Sequence, residues 1–365
     1  MTIQVQAVET AIKKYDAGWQ AQPNFLTALS RDQRALYLGY VPGPGEASLE
    51  QAEQTAKANL AAAKAPAAGA PAAFDLRDVG GKNYITPIKN QASCGSCVAF
   101  GSVSTVEGTV RFKRDQPDLA IDLSEAHLFY CHARNQGRRC NNGWWVPPAL
   151  DAIKSIGVSD EACYPYTAGD QACSNLCTDW QNRVFKITAW TEIASPAAMK
   201  EWLSSNGPLA ACFSVYDDFF AYKSGVYRHV QGNLAGGHCV CCVGYDDAAQ
   251  AWICKNSWDT GWGDKGFFKI AYGECGIDAR MWGVEVPKQN IIPTWIEKKL
   301  ITGLWAINEE RNGAAYIDGI GWRKLSSESD SVFLGMFSAL GSAKASKSPC
   351  NLRIENGVIK ELYVF

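Results

Sequence analysis

The sequence predicts an α+β protein in which a helical region precedes a β-rich region and a small additional domain follows. Apolar residues recur every three or four positions between about residues 97 and 156, which is typical of helices. Between 183 and 270 they alternate with polar residues in several short runs, which is typical of strands. Helices followed by antiparallel strands favour two subdomains with a cleft between them. The pattern starts again after Pro287.

Composition limits the class of protein. A chain of 365 residues is longer than one ordinary core, so we expect two or three units. Its 35 basic and 37 acidic residues leave a formal charge of −2, which argues against a nucleic-acid partner or an anionic-membrane scaffold. No apolar run reaches the roughly 18 residues that cross a bilayer, so no transmembrane segment is expected.

The first 73 residues are predicted to be helical and to end in a linker. One apolar stripe with helical spacing consists of Val5, Val8, Ile12 and Tyr15. Ser30 and Gln33 have the spacing of a capping box, with Gly39 placed to end that helix. Ser48 repeats the signal before an alanine-rich helix that is expected to reach about Lys64. Residues 65–73 form a linker of small residues that should be exposed and easily cleaved.

The central region is predicted to contain three helices and then five strands. One helix opens near Cys97, a second runs from Ser124 to about Cys131, and a third runs from Pro148 to Ile156. The strands are expected at 183–187, 209–215, 238–245, 251–255 and 266–270.

Residues 298–365 predict a small β-β-α-β-β domain. Asn312-Gly313 and Asn356-Gly357 each separate two alternating runs, which is the strongest short signal for a hairpin. Between the two hairpins, a helix after Asp330 has one apolar face, formed by Val332, Phe333, Met336, Phe337 and Leu340. No catalytic set is visible in this domain.

Three residues supply a nucleophile and its partners. Cys97 falls in the first turn of its helix, where free N–H groups and the helix dipole favour an anion and should lower the pKa of the thiol. His238 follows two glycines at the start of a buried strand. Asn256 ends the next strand with an amide suited to hold an imidazole in one tautomer. The sequence therefore predicts a thiol nucleophile, a base and an orienting amide.

The other histidines and cysteines are interpreted as structural. Three histidines fit surface or helix positions: His127, His132 and His229. In a strand, Cys239 and Cys241 point to the face opposite His238 and Cys242, so the four cannot converge on one ion. We expect no metal and no organic cofactor.

Six motifs in register resemble the papain-like cysteine peptidases. They are residues 91–100 (QASCGSCVAF), 123–125 (LSE), 140–143 (CNNG), 164–166 (YPY), the strand of His238, and 255–258 (KNSW) with 261–263 (GWG). The resemblance covers about residues 74–287. It implies hydrolysis of peptide bonds through a thioester acyl-enzyme on Cys97, with Gln91 donating a side-chain N–H to the oxyanion.

The resemblance also implies a self-inhibited zymogen with three parts. Residues 1–73 would be the propeptide, 74–287 the catalytic domain and 288–365 an accessory domain with an unknown partner. The propeptide is shorter than those of the plant and animal enzymes and lacks their long helical motif, so we expect a bacterial or archaeal type. The alternative is that residues 1–73 are a permanent N-terminal domain.

Motif alignment with the family assigns substrate-binding positions. They are Asn142, Gly143, Trp144, Trp145, Gly236, Gly237, Cys239, Trp258 and Arg280. Trp258 is expected to shield the hydrogen bond between His238 and Asn256. Asn142 and Ala92 both replace family glycines; Asn142 could narrow the cleft, whereas Ala92 should be tolerated.

Arg280 lies at the family position that forms the floor of the pocket for the second residue before the scissile bond. We therefore expect this pocket to accept an acidic side chain alongside apolar ones. The alternative is that Arg280 pairs with a local carboxylate, such as Asp278 or Glu274.

Disulfide pairing is implied by the resemblance only in part. The family pattern gives Cys94–Cys140 and Cys131–Cys173. A third family bridge from Cys275 is not expected, because its partner position is Gly232. Cys163 and Cys177 could form an additional bridge, which spacing alone does not establish.

The clues to compartment conflict, and other functions stay open. The first six residues have no basic or apolar character, so no cleavable secretory signal is expected, whereas fourteen cysteines favour an oxidising or extracellular setting. Endopeptidase activity is the default, since no stretch resembles the two-histidine loop of cathepsin B. The alternatives are a partner-binding or effector protein whose C-terminal domain performs the recognition, and a non-hydrolytic acyltransferase.

Overall fold

The structure is a computed structural model that describes residues 2–62, 69–287, 294–307, 311–355 and 358–365. It divides into two compact units, one of residues 1–180 with 185–286, and one of residues 181–184 with 287–365. Each unit has its own hydrophobic core.

The N-terminal region contains three helices, α1 (Val5–Lys14), α2 (Arg31–Ala35) and α3 (Leu49–Ala62). The predicted stripe of α1 is buried except for Tyr15, which follows the end of the helix and is 59% exposed. The capping boxes at Ser30 and Ser48 are both present. However, α2 ends four residues before Gly39, so the prediction that Gly39 ends this helix was wrong. Residues 65–68 of the predicted linker lie outside the described residues, and Pro71, which follows them, is exposed.

The central region contains four longer helices and several single turns. The longer ones are α4 (Cys97–Lys113), a π-type helix (His127–Ala133), α5 (Val146–Ser155) and α6 (Pro196–Ser205). The turns are Arg134–Gln136, Cys173–Asn175, Trp180–Asn182, Asp217–Ala221 and Glu274–Gly276. Because α4 is buried on every side from Cys97 to Val110, it is the central helix of this unit.

The structure describes twelve strands before residue 287. They are β1 (Gln20–Ala21), β2 (Ala73–Asp75), β3 (Val158–Ser159), β4 (Val184–Phe185), β5 (Ala189–Ile193), β6 (Leu209–Tyr216), β7 (Tyr222–Ser224), β8 (Val226–Tyr227), β9 (Leu234–Asp246), β10 (Ala251–Lys255), β11 (Phe267–Ala271) and β12 (Met281–Glu285). Five of them lie where the alternating pattern predicted strands, namely β4, β6, β9, β10 and β11. Of the predicted strand at 183–187, only the two residues of β4 are extended.

The main sheet of the first unit has the strand order β5-β12-β6-β9-β10-β11-β8, and β2 also pairs with β9. The long central strand β9 contains His238, and β10 leads directly to Asn256. Helix α4 packs against β9. This packing brings the helix that starts at Cys97 to the strand that contains His238.

The second unit is a six-stranded sheet with one helix. Its strands are β13 (Thr294–Lys299), β14 (Ile301–Ala306), β15 (Gly313–Ile317), β16 (Gly321–Leu325), β17 (Cys350–Glu355) and β18 (Val358–Val364), in the order β13-β17-β18-β16-β15-β14. Helix α7 (Asp330–Ser346) covers one face and is capped by Ser329. The predicted small C-terminal domain with one helix between two hairpins is confirmed, and the structure adds strands β13 and β16. Asn356-Gly357 lies outside the described residues.

Candidate active site

The loop before α4 holds Cys97 at the start of the helix. The N–H of Gln91 donates to the carbonyl of Ser257 at 2.9 Å, and the N–H of Gly95 donates to the carbonyl of Cys140 at 2.9 Å. Ala92 has a φ of 49°, in the left-handed region that favours glycine. This explains physically why the family has a glycine there, and an alanine at this φ costs about 1 kcal/mol.

His238 and Asn256 form a hydrogen bond in which the Nε2 and Oδ1 atoms are 2.8 Å apart. Both side chains are buried, and the Nδ1 atom of His238 has no hydrogen-bond partner among the described residues. Since the amide oxygen of Asn256 can only accept, the proton lies on Nε2 and the lone pair on Nδ1. The ring is therefore held in the tautomer that a general base needs.

Trp258 covers this pair. Its indole is fully buried, with its ring centre 4.6 Å from that of His238, and it stacks on Phe220 at 5.4 Å. Excluding water from the hydrogen bond between His238 and Asn256 strengthens it, because the local dielectric constant is low. This agrees with the shielding role expected for Trp258.

Gln91 presents an N–H donor beside the nucleophile. Its Oε1 accepts from the hydroxyl of Ser257 at 2.6 Å, which fixes the amide so that Nε2 points away from Ser257. Nε2 donates to the carbonyls of Cys94 at 2.8 Å and Tyr37 at 3.1 Å. A second donor, the indole N–H of Trp258, reaches the same Tyr37 carbonyl at 3.2 Å. A carbonyl oxygen of the N-terminal region thus occupies the donor site expected for an oxyanion.

Burial decides the charge of Cys97 and His238 in this structure. Burial raises the pKa of Cys97 far above its usual value, although the backbone N–H groups of Cys239, Gly39 and Tyr40 act to lower it. Burial also lowers the pKa of His238 to about 4, against a smaller opposing effect of Asn256. The sequence argument predicted a lowered thiol pKa and was wrong for this state, because residues 39 and 40 cover the sulfur and remove its solvent. Both groups are therefore neutral here near pH 7.

Residues 37–41 run through the cleft and hydrogen-bond to both of its walls. The N–H groups of Gly39 and Tyr40 donate to the carbonyl of Gly237 at 3.2 and 3.0 Å. The N–H of Val41 donates to the carbonyl of Trp144 at 3.0 Å, and the N–H of Trp144 donates to the carbonyl of Gly39 at 2.8 Å. Residues 39–41 thus use the backbone groups that would otherwise be available to a substrate chain.

Gly39 is required by this close approach. A Cβ atom at this position would overlap the backbone of Gly95, two residues before Cys97, and the carbonyl of Gly39 itself fills the space beside Gly143. This contact is the physical reason for the glycine that the sequence analysis assigned to a helix end. A glycine inside an apolar stretch can indicate close backbone approach, and that was the available signal.

The side chain of Tyr40 lines a small pocket together with Cys212, Trp282 and Arg280. Tyr40 is 7% exposed, and its hydroxyl donates to the Glu46 carboxylate at 3.2 Å. Burial raises the pKa of Tyr40, Cys212 and Glu46 raise it further, and the charge of Arg280 lowers it. A ring with a polar end is thus accommodated close to Arg280.

Arg280 has an acidic neighbour that the sequence analysis did not name. Its Nη1 atom lies 3.9 Å from the Oε2 atom of Glu192 on β5. Asp278 instead accepts from the indole N–H of Trp252 at 2.9 Å and from the N–H of Gly273. The ion pair of Arg280 is long and partly exposed, so it holds the guanidinium only weakly.

Three of the predicted substrate-binding residues act differently from expectation. The indole of Trp144 is buried and donates to Gln136 at 3.0 Å, so this residue reaches the cleft through its backbone. Asn142 is exposed, and its side chain closes the 137–142 loop through Arg139 and Gly137 instead of narrowing the cleft. Cys239 lies behind Cys97, while its cross-strand partner Cys212 lines the pocket.

The remaining predicted positions lie along the cleft. Gly143 and Gly237 contact Gly39 and Tyr40, and a Cβ at Gly236 would meet Leu38. The indole of Trp145 packs against Gly43 and under the guanidinium of Arg138.

Three disulfides connect the helical part of the first unit. They are Cys94–Cys140, Cys131–Cys173 and Cys163–Cys177. The first ties the loop before Cys97 to the segment of Gly143, so it fixes two segments of the same wall of the cleft relative to each other. Cys275 is a free, buried thiol, and Gly232 contacts Asp217 instead.

The other histidines are more buried than their interpretation implied. His127 and His132 stack with ring centres 4.7 Å apart and are both buried. His229 lies against Asp218 at 3.1 Å and stacks on Tyr216. Of the two alternatives, surface or helix, the helix position is confirmed for His127 and His132, which are buried.

Two polar contacts that the sequence analysis missed anchor the N-terminal region. Arg34, which is almost fully buried, forms an ion pair with Asp217 at 3.4 Å. Glu53 on α3 accepts from the hydroxyl of Tyr216 at 2.9 Å. Single charged residues on short helices give no sequence signal for such partners, since the partners are more than 160 residues away.

Within the residues that the structure describes, no group of three or more histidine, cysteine, aspartate or glutamate side chains converges on a point. Over the same ranges, no helix combines the length and apolar character of a membrane span.

Comparison with known proteins gives consistent matches. A family model described as "Papain family cysteine protease" matches residues 70–284. "Cathepsin B-like CP3" of Giardia intestinalis is 35% identical over 227 residues, which are 59% of this chain and 74% of that protein. The other relatives found are likewise eukaryotic, so our expectation of a bacterial or archaeal type has no support.

Solved structures that cover 78% of this chain include two procathepsins. Procathepsin L2 from the larval midgut of Tenebrio molitor has a TM-score of 0.62 and 26% identity, with 90% of that chain covered. ProCathepsin B S9 from Trypanosoma congolense has a TM-score of 0.62, 24% identity and 98% coverage. Because the second identity is below 25%, that structure supports the fold alone.

Proposed function

This chain belongs to the papain family of cysteine proteases, and from that premise we propose that Cys97, His238, Asn256 and Gln91 are its catalytic set. The protein is a cysteine peptidase that hydrolyses peptide bonds and is made as a zymogen. The observation that carries the proposal is the His238–Asn256 bond at 2.8 Å, which leaves the Nδ1 atom of His238 without a partner.

The reaction follows from these roles. The thiolate of Cys97 attacks the peptide carbonyl, and the new oxyanion accepts hydrogen bonds from the side chain of Gln91 and the N–H of Cys97. The imidazolium of His238 gives its proton to the leaving amine as the C–N bond breaks, which leaves a thioester. Water then attacks the thioester carbonyl while His238 takes a proton from the water. The C–S bond breaks, which releases the carboxylic acid product and regenerates Cys97 as a thiolate.

The zymogen is inactive because residues 37–41 exclude both substrate and solvent. The carbonyl of Tyr37 takes the Gln91 donor, and residues 39 and 40 cover the sulfur of Cys97. Removing this segment returns water to the site, which stabilises the charged forms of Cys97 and His238. The ion pair needed for attack therefore forms only after the propeptide leaves.

We place the division between propeptide and catalytic domain near residue 73, with an accessory domain from about residue 288. Phe74 and Asp75 belong to β2, which pairs with β9 of the main sheet, so this segment stays with the enzyme. Pro71 and Ala72 are exposed and precede it. Cleavage just before β2 would release the inhibitory region without breaking the sheet.

The three disulfides favour an oxidising compartment, such as a secreted or lysosomal setting. Reducing cytosol would break bridges that fix the loop before Cys97. An oxidising compartment would therefore keep the Cys94–Cys140 bridge intact, and this bridge holds the loop that positions Cys97.

The intact mass of the purified chain tests the proposal. After incubation in mild acid with reductant, wild type should lose about its first 73 residues, and an epoxide that alkylates cleft thiolates should add once, at Cys97. Cys97→Ala should neither shorten nor become labelled. Shortening in Cys97→Ala as well would indicate a contaminating protease, and labelling of the long form alone would contradict an inhibitory N-terminal region.

We further propose that Arg280 lets the pocket of Tyr40 accept an acidic side chain. The support is the effect of Arg280 on the pKa of Tyr40 and the weak competing pair with Glu192. In a peptide series, wild type should cleave peptides that carry glutamate as the second residue before the scissile bond. In Arg280→Glu, kcat/KM for these peptides should fall at least tenfold relative to kcat/KM for peptides with leucine at that position. Glu192→Gln should raise the preference for glutamate, and no change in either variant would exclude the role.

A further inference from the structure

One face of the C-terminal sheet is aromatic and is not covered by α7. Side chains on a strand alternate, so residues that pair across strands share a face. Trp305 pairs with Ala314 and Ala314 with Lys324, while Tyr316 pairs with Trp322 two residues further along. These residues therefore lie on one face. The residues between them, such as Ala315 and Leu325, are part of the core under α7.

A cavity of about 450 Å³ opens on this face. It is lined by Trp305, Ala314, Trp322, Arg323 and Lys324. Ala314 forms a small floor, and the two tryptophans are 44% and 51% exposed. Apolar surface of this kind is rarely left open on a soluble protein without a binding role.

The indole of Trp322 is fixed in place by its neighbours. A Cβ atom at Gly303 would lie 3.1 Å from its Cη2 atom, so the ring leans across the sheet over this glycine. The ring also packs edge to face against Tyr316, with the ring centres 5.4 Å apart. One face of a large apolar ring is thus held rigid and open, which lowers the entropy cost of binding.

The polar groups around the cavity are donors. Lys324 supplies an ammonium on the same face as the two tryptophans. Arg323 pairs with Ala315, so its side chain starts on the opposite face, and one of its guanidinium N–H groups donates to the carbonyl of Trp322 at 2.8 Å. Each indole adds an N–H. None of the five lining residues carries a carboxylate. The cavity therefore suits an anion with a flat apolar side and disfavours a cation.

The position of the cavity argues against a peptide bound as an added strand. It lies across β14, β15 and β16, and β15 is already paired on both sides. Added strands bind at sheet edges, which here are β13 and β14. Recognition in this cavity must rest on ring stacking and charge.

We propose that this cavity binds an acidic saccharide. The apolar C–H side of a pyranose ring stacks on the open indole of Trp322 or Trp305, and its carboxylate or sulfate pairs with the ammonium of Lys324. The C-terminal unit would thereby hold the peptidase near glycosylated substrates or an acidic polysaccharide. This goes beyond the peptidase function and does not depend on it.

Titration calorimetry with the full-length Cys97→Ala chain tests this inference, since that chain cannot process itself. The probes are a heparin-derived hexasaccharide, which carries sulfate and carboxylate, a hexagalacturonate, which carries carboxylate only, and neutral cellohexaose. We expect saturable binding to one or both acidic probes and at least tenfold weaker binding to cellohexaose. Comparing the two acidic probes distinguishes sulfate from carboxylate recognition.

Variants locate the binding. Trp322→Ala should weaken it at least tenfold, and Lys324→Ala should weaken it severalfold with a smaller salt dependence. Trp295→Ala is the matched control, because Trp295 stacks on Tyr363 at 5.5 Å in the same sheet but does not line the cavity. Equal thermal midpoints would exclude unfolding.

Three results would overturn the inference. They are absence of saturable binding, equal losses in Trp322→Ala and Trp295→Ala, and an oligoglutamate peptide that binds as tightly as the saccharides and with the same dependence on Trp322.

Discussion

The cleft of the first unit is filled by residues of the same chain, whereas the aromatic cavity of the second unit is open. In the cleft, residues 37–41 of the same chain hydrogen-bond to the backbone groups and to the Gln91 donor, and Tyr40 lines the pocket of Arg280. In the cavity, two tryptophans remain about half exposed. A site closed by its own chain must be opened before it works, whereas an open site can bind at once.

The largest effect should come from the nucleophile. Cys97→Ala removes the only atom that can form the acyl-enzyme, so kcat/KM should fall by about 10⁶-fold. Hydrolysis of a fluorogenic peptide after trimming by an added protease measures this. Cys212→Ala, which removes a free thiol of the pocket, is the control and should retain activity within about an order of magnitude. Equal losses of kcat/KM in the two variants would contradict the assignment of Cys97 as the nucleophile.

A smaller effect is expected from the oxyanion donor. Gln91→Ala should lower kcat by about 10²–10³-fold with little change in KM, because the donor acts on charge that develops in the transition state. Ser257→Ala should lower kcat less, since the hydroxyl only orients the Gln91 amide at 2.6 Å. A change confined to KM in Gln91→Ala would indicate a role in substrate binding alone.

The closed state should be sensitive to Gly39. Gly39→Ala places a Cβ against the backbone of Gly95, so the segment must retract, and overpacking of this kind costs about 1–3 kcal/mol. The unprocessed chain should then react with the epoxide roughly 5- to 150-fold faster. Gly45→Ala is the control in the same N-terminal region, because a Cβ at Gly45 meets open space; any cost there comes from its positive φ and not from a contact with Gly95. Equal labelling of both variants would contradict the close approach.

The smallest effect should be the pH dependence of opening. Burial lowers the pKa of His238 to about 4 in the closed state, against an ordinary value of 6.5. Since the open state binds this proton more readily, closure is stable above about pH 6.5 and weakens as pH falls towards 4. In Cys97→Ala, hydrogen exchange of residues 37–41 should quicken about tenfold between pH 6.5 and 5, after correction for intrinsic rates.

A second variant separates His238 from the carboxylates near the same segment, Glu46, Glu53 and Asp217. Cys97→Ala combined with His238→Gln should lose most of this pH dependence. If the dependence persists unchanged, the carboxylates are responsible and not His238.

The elements that could be read from the sequence are those with local causes. Helix α1, the capping boxes of Ser30 and Ser48, the start of α4 and strands β6, β9, β10 and β11 all follow from periodicity and capping within a few residues. Strand β13 was missed because its two apolar residues, Trp295 and Ile296, are adjacent, and β16 because Trp322 and Leu325 are three residues apart, so neither segment alternates.

The candidate catalytic residues were also available from the sequence, because each lies in a motif whose residue types the reaction requires. The sequence by itself determined which residues are proposed as the nucleophile, the base and the orienting amide, and the order in which they occur. Tertiary structure alone decided their state. The raised pKa of Cys97, the role of Gly39, the placement of Tyr40 beside Arg280 and the pairing of Arg34 with Asp217 all depend on segments far apart in the chain. Solvent exclusion and close contact are properties of the packed chain, and no local pattern carries them.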